Sequence, residues 1–211
     1  MKGSNQSKKR WLLPAIALVA AGVLIASITT PVLSEAHEGF PNYADINKAT
    51  KEQQSRLLKS SLYADAPIPN IPDSFIKSNL VYAYGWVDTN TGKALAATIH
   101  PNFRDSTKNP DHWHMHPMVL GEGTATSTYC VEAFIDGLST AEGGVAVNGN
   151  AMNITVSSSK AKLSPGEVDT VASLILLEDS GCAEIPKLID GDHTTIRLGA
   201  IIHDTSSIAN N

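Results

Sequence analysis

Short apolar runs with period-2 alternation, separated at brief intervals by turn residues, fill the chain from Leu80 to His203, and this constrains the fold more than any other feature. Tyr82, Tyr84 and Trp86 alternate in LVYAYGWV. Asp88 to Lys93 (DTNTGK) then turns the chain into ALAATIH, which predicts a hairpin. Further strands are expected at MVLGEG from Met118, STYCVEAFI from Ser127, IRLGAIIH from Ile196, and on either side of Asn148-Gly149-Asn150. That Asn-Gly predicts a type I′ hairpin, whose two central residues both need positive φ. Ser164-Pro165-Gly166-Glu167 fits either a type II turn before a strand from Val168 to Leu177, or a capping box opening a helix, and the strand is preferred among such neighbours. The expectation is an all-β fold: a two-layer β-sandwich, Ig-like or similar, of about seven or eight strands over residues 75–211.

The N-terminal third reads differently. Lys8, Lys9 and Arg10 precede an uncharged apolar stretch from Trp11 to Ser34, long enough to span a bilayer, and the basic cluster places everything after it outside. Residues 1–36 are therefore expected to be a cytoplasmic tip plus a transmembrane anchor. Ser34-Glu35-Ala36 also resembles a signal cleavage site, and cleavage after Ala36 would give a secreted protein. Asp45 to Ser61 (DINKATKEQQSRLLKSS) is rich in helix formers, with Ile46, Leu57 and Leu58 as a thin apolar stripe, and predicts a short polar helix. With the proline-rich DAPIPNIPD from Asp65 to Asp73 it would make residues 37–74 a helical stalk and linker.

Export bears on charge and on the cysteines. Beyond Ala36 the chain carries 12 Lys and Arg against 20 Asp and Glu, a net of −8, which argues against nucleic acid as a partner. The chain has only 2 cysteines, too few for a thiolate zinc cage or an iron–sulfur cluster. In an oxidising compartment Cys130 and Cys182 are expected to form a disulfide, stabilising the fold by roughly 4 kcal/mol.

The segment that carries chemistry is PDHWHMHPMV, Pro110 to Val119. On a strand, His112, His114 and His116 would line one face at spacings of about 6.6 Å, with Trp113 and Met115 on the other, in the core. Neutral imidazoles in this spacing suit copper or zinc, and Met118, continuing the row past Pro117, would favour copper. His100, which ends the preceding strand, is the expected fourth ligand, with Asp111 near it in sequence. Glu122, His193 and His203 are more distant candidates. Neither GxSxG, HExxH nor a P-loop occurs. The pattern points to an extracytoplasmic, membrane-anchored protein binding a transition metal through these histidines. The alternatives are a non-enzymatic cell-envelope interaction domain with structural histidines, and a metal-dependent redox or hydrolytic enzyme, which would need an open coordination position and a base within reach.

Overall fold

The computed structural model describes residues 40–53, 56–70, 76–77, 80–100, 112–135, 143–189 and 192–210. The expected anchor or signal segment lies outside them; among the described residues no helix is long and apolar enough to cross a membrane. Among the described residues twelve strands carry the fold: β1 (Ile46–Gln53), β2 (Leu57–Ala64), β3 (Ile76–Lys77), β4 (Leu80–Val87), β5 (Lys93–Thr98), β6 (His114–Glu122), β7 (Tyr129–Phe134), β8 (Gly143–Asn148), β9 (Ala151–Ser157), β10 (Thr170–Glu178), β11 (Glu184–Ile189) and β12 (Asp192–Asn210). One helical turn, α1 (Ser158–Ala161), follows β9.

The all-β expectation holds, but the architecture is not specifically the Ig-like sandwich. Strands β4, β5, β6, β7, β12 and β10 pair in that order, all antiparallel, and β10 also pairs with β4, closing a six-stranded barrel. Closure follows from β12, whose 19 residues let Leu198–Ser207 run beside β10 while Gly199 and Ala200 meet β7. Past the barrel, β12 pairs in parallel with β1, extending the hydrogen bonding into β1-β2-β9-β8. Distant strand pairings of this kind leave no signal in local periodicity, so a sandwich and a barrel look alike in sequence.

Asp45–Ser61 corrects a second expectation: it forms most of the β1–β2 hairpin, not a polar helix. Helix propensity is a weak prior, and here the tertiary partners β12 and β9 override it. Leu58, Ser60, Leu62 and Ala64 alternate into the interior, the period of a strand, so this segment is part of the core rather than a stalk.

Two turns also differ in detail. Asn148 pairs with Ala151, so Gly149 and Asn150 are the central residues; only Gly149 has positive φ (62°), the pattern of a II′ hairpin rather than I′. At Ser164–Glu167 the turn closes through the Glu167 N–H and the Ser164 carbonyl (2.9 Å), but Gly166 is not left-handed, so it is not type II. The Glu167 carboxylate accepts the Ser164 N–H (3.1 Å), half of a capping box, yet the chain proceeds into β10. The DTNTGK hairpin forms as expected between β4 and β5, with Gly92 at φ 70°, where a Cβ would strike the Leu120 carbonyl.

Each barrel wall has two apolar faces. One face of β4, β5 and β6 (Tyr84, Trp86, Leu95, Ala97, Met115) packs in one core with Leu58 and Leu62 of β2 and Met152, Ile154 and Val156 of β9. The other faces inward, where Ala83, Ala94, Ala96, Met118 and Leu120 meet Val131, Leu174, Leu176 and Ala200. Burial of this order, at about 25 cal/mol per Å² of apolar surface, is what holds both layers. The disulfide Cys130–Cys182, with Cα atoms 5.5 Å apart, ties β7 to the turn after β10. In that turn Asp179 accepts from Ser127 Oγ (2.5 Å), Thr124 Oγ1 (2.6 Å) and the Gly181 N–H (2.9 Å), which together hold its carboxyl below the usual range.

Candidate metal centre

The inward face of β5 and β6 carries the histidines. The pairs Ala96–His116 and Thr98–His114 lie directly across from one another, and the alternation of β5 (Ala94, Ala96, Thr98) continues past its end to His100. Three imidazoles thus converge on the barrel interior. His100, His114 and His116 are all buried, and each presents a ring nitrogen within 4.8 Å of the other two. Their rings stand close: 4.5 Å between centroids for His100 and His114, 4.9 Å for His114 and His116, and 5.7 Å for the near-parallel His100 and His116.

Hydrogen bonding fixes the orientation of the central ring. His114 Nδ1 lies 3.0 Å from the His112 carbonyl oxygen, which can only accept, so Nδ1 carries a proton and Nε2 is the nitrogen turned toward the cluster. Nε2 faces His100 Nε2 at 3.0 Å and Thr98 Oγ1 at 3.3 Å. Metal-ligating histidines are commonly oriented in this way, with the second ring nitrogen donating to a backbone carbonyl. His100 and His114 are thus joined Nε2 to Nε2 at hydrogen-bond distance, and an ion bound at about 2.0–2.1 Å would take the place of that contact with its nitrogens roughly 3.3 Å apart. Burial, and secondarily the neighbouring His114, pushes the His116 pKa down to about 3, so this ring is neutral at physiological pH and able to ligate.

The candidate residues divide sharply. His112 is exposed, ahead of the first residue of β6, and only its backbone carbonyl reaches the cluster. The strand alternation that would align its side chain with the other two begins at His114. Met118, fully buried, continues the inward row two residues beyond His116, while Met115 and Trp113 pack on the opposite face, as expected. Glu122 is exposed at the far end of β6, opposite Tyr129. His203, in β12, is buried; its Nε2 donates to Asp45 Oδ1 (2.8 Å), and its ring stacks on Phe40 at 3.9 Å. His193 pairs in register with Leu188 of β11. Asp111 lies outside the described residues.

Two neighbours of the site went unread in the sequence. Thr98 could have been found from the alternation that places it on the His100 face, whereas Phe134, 6.0 Å from His116 between ring centres, is brought in by the β6–β7 pairing and leaves no local signal. No family model, curated protein or solved structure matches this chain.

Proposed function

We propose that this protein binds a transition metal ion, copper or zinc, through His100, His114 and His116, and serves metal handling outside the cytoplasm. The convergence of three buried imidazoles, ring nitrogens within 4.8 Å of one another, carries this reading. Histidine buried without purpose is uncommon, and three on one inward face make a nitrogen donor set suited to copper and zinc. The Cys130–Cys182 disulfide supports an oxidising compartment, and the basic residues before Trp11–Ser34 support an anchor that leaves the barrel outside, or secretion after cleavage at Ala36.

The test is elemental analysis of the full chain, purified in detergent without a His-tag and dialysed against trace copper and zinc. About one tightly held equivalent is expected, lost in His116→Ala and His100→Ala. A folded, disulfide-bonded sample holding no metal would overturn the proposal and favour an envelope interaction domain with structural histidines.

A further inference from the structure

We infer that Asn153 is the acceptor of an N-linked glycan, which covers the outer face of β9 and the sheet edge beyond it. The inference rests on the extracytoplasmic location proposed above and not on the metal site. Asn153-Ile154-Thr155 fits the acceptor pattern Asn-x-Ser/Thr with a residue other than Pro between. Strand alternation divides the triplet between two faces. Ile154 lies in the core with Met152 and Val156, while Asn153 and Thr155 are both exposed on the outer face. Ser61 Oγ donates to Asn153 Oδ1 (2.6 Å), which leaves the amide nitrogen, the atom a glycan joins, without a hydrogen-bond partner among the described residues.

The neighbours leave room for it. In register, Asn153 stands between Ser61 of β2 and Ala146 of β8, and Thr155 between Lys59 and Gly144 of the same two strands. Ala146 is small, and a Cβ added at Gly144 would meet nothing within 4 Å. Among the described residues β8 is also the last strand of its sheet, and Gly143–Asn148 holds neither a charged residue nor Pro to deter pairing with a second chain. A glycan one strand in from that edge overhangs it and supplies the protection that its own sequence lacks. The transfer joins the anomeric carbon of the first sugar to Asn153 Nδ2. The bond from that carbon to the diphosphate of a lipid-linked carrier breaks, the diphosphate leaves with the electron pair, and one amide proton passes to a base of the transferase.

The experiment translates the full chain in the presence of endoplasmic-reticulum microsomes, alone and with a flexible tail after Asn211 that carries a second Asn-x-Thr as a reporter of location. One glycan is expected on the untailed chain and two on the tailed one, all removed by peptide N-glycosidase. Asn153→Gln and Thr155→Ala should each lose one glycan. Asn5→Gln should lose none, because Asn5-Gln6-Ser7, the chain's other such triplet, precedes the basic residues that keep the N-terminus inside. The glycosidase leaves Asp where a glycan was attached, so mass mapping of the wild-type chain locates the acceptor even if a variant fails to fold. An unmodified Asn153 beside a modified tail would overturn the inference while leaving the location standing. A chain modified at neither position overturns both, and the histidine site is untouched by either result. For the edge, Asn153→Gln protein is expected to self-associate more strongly than the glycosylated wild type; equal association would overturn the protective role.

Discussion

Two regions of this molecule bury histidine, and they do so on opposite terms. His203 is enclosed by a carboxylate and an aromatic face, Asp45 Oδ1 at 2.8 Å and the stacked Phe40 ring. The rings of His100, His114 and His116 pack against one another. A buried imidazole beside a carboxylate has an acceptor for its N–H and a countercharge within reach, so that N–H is satisfied without a ligand. Three imidazoles packed on one another form a nitrogen donor set that could hold a transition-metal ion. Under the proposed function the difference separates the two by their company rather than by their burial, which is nearly equal: 6% exposure for His203 against 4%, 8% and 5% for the cluster.

The sharpest way to break this distinction is through metal-linked stability. At a free metal concentration about a hundredfold above the dissociation constant, binding should raise the unfolding free energy by about 2.7 kcal/mol. That increment should vanish in His114→Ala and survive in His203→Asn, measured as denaturant midpoints with and without metal. Retention of the increment in His114→Ala would erase the distinction between the two regions.

A second difference is expected in acid. Because the His116 pKa is pushed down to about 3 from the 6.5 of an unperturbed imidazole, between these values the unfolded chain takes up a proton that the folded one refuses. Stability of the metal-free protein is therefore full above pH 6.5 and falls as pH drops below it, by up to about 1.4 kcal/mol per pH unit from this residue. Asp88 and Asp179, whose carboxyls are held low by hydroxyl and amide donors, act in the same direction only near and below their ordinary value of 3.8, so the window from pH 6.5 to 4.5 separates the histidine from these two, and the variant comparison assigns the slope to His116. Urea unfolding across that window should give a clearly shallower slope for His116→Leu than for the wild type. Equal slopes would mean that His116 is not held neutral by its surroundings.

How much of this was legible in the sequence depended on how far apart the interacting residues lie. The β4–β5 hairpin, the placement of Met115 and Trp113 opposite the histidine row, and the disulfide all follow from local alternation, turn chemistry or cysteine count, and the structure has them. His100 could be named as a ligand because strand alternation and a single long connection bring it beside His114. Barrel closure by β12 and the strand character of Asp45–Ser61 could not be read, since both are decided by pairings that local periodicity does not record, β7 and β10 for the barrel and β9 and the end of β12 for the first hairpin. The role of His203 was hidden for the same reason: Asp45, which occupies its ring, is 158 residues distant.

A smaller effect tests the structural half of the comparison. Asp45→Ala removes the acceptor of the His203 Nε2–H, a contact whose carboxylate is partly exposed, and should cost about 1 kcal/mol of stability. Metal affinity should stay within about twofold, because the contact removed is to His203, which lies outside the His100–His114–His116 group. A fall in metal affinity as large as that of a cluster variant would show that the two regions are coupled, and that His203 belongs to the site.

The smallest expected effect is the most discriminating for the cluster itself. His112 opens the HxHxH pattern, and a sequence pattern treats it as equal to His114 and His116. In the structure its side chain is exposed and its contribution is a backbone carbonyl that accepts the His114 Nδ1–H. A substitution that keeps the backbone keeps that carbonyl, and with it the proton on Nδ1 and the turn of Nε2 toward the cluster. His112→Ala should therefore change metal affinity by less than about threefold and stability by less than about 0.5 kcal/mol. His112→Pro, which disfavours neither the carbonyl nor the exposed position but restricts the preceding backbone, probes whether the carbonyl is held in place by the chain around it, and should weaken binding more than alanine does. If His112→Ala instead removes the metal as completely as His116→Ala, the ligand set is the sequence row, and the convergence of His100 from β5 is an accident of barrel packing rather than the basis of the site.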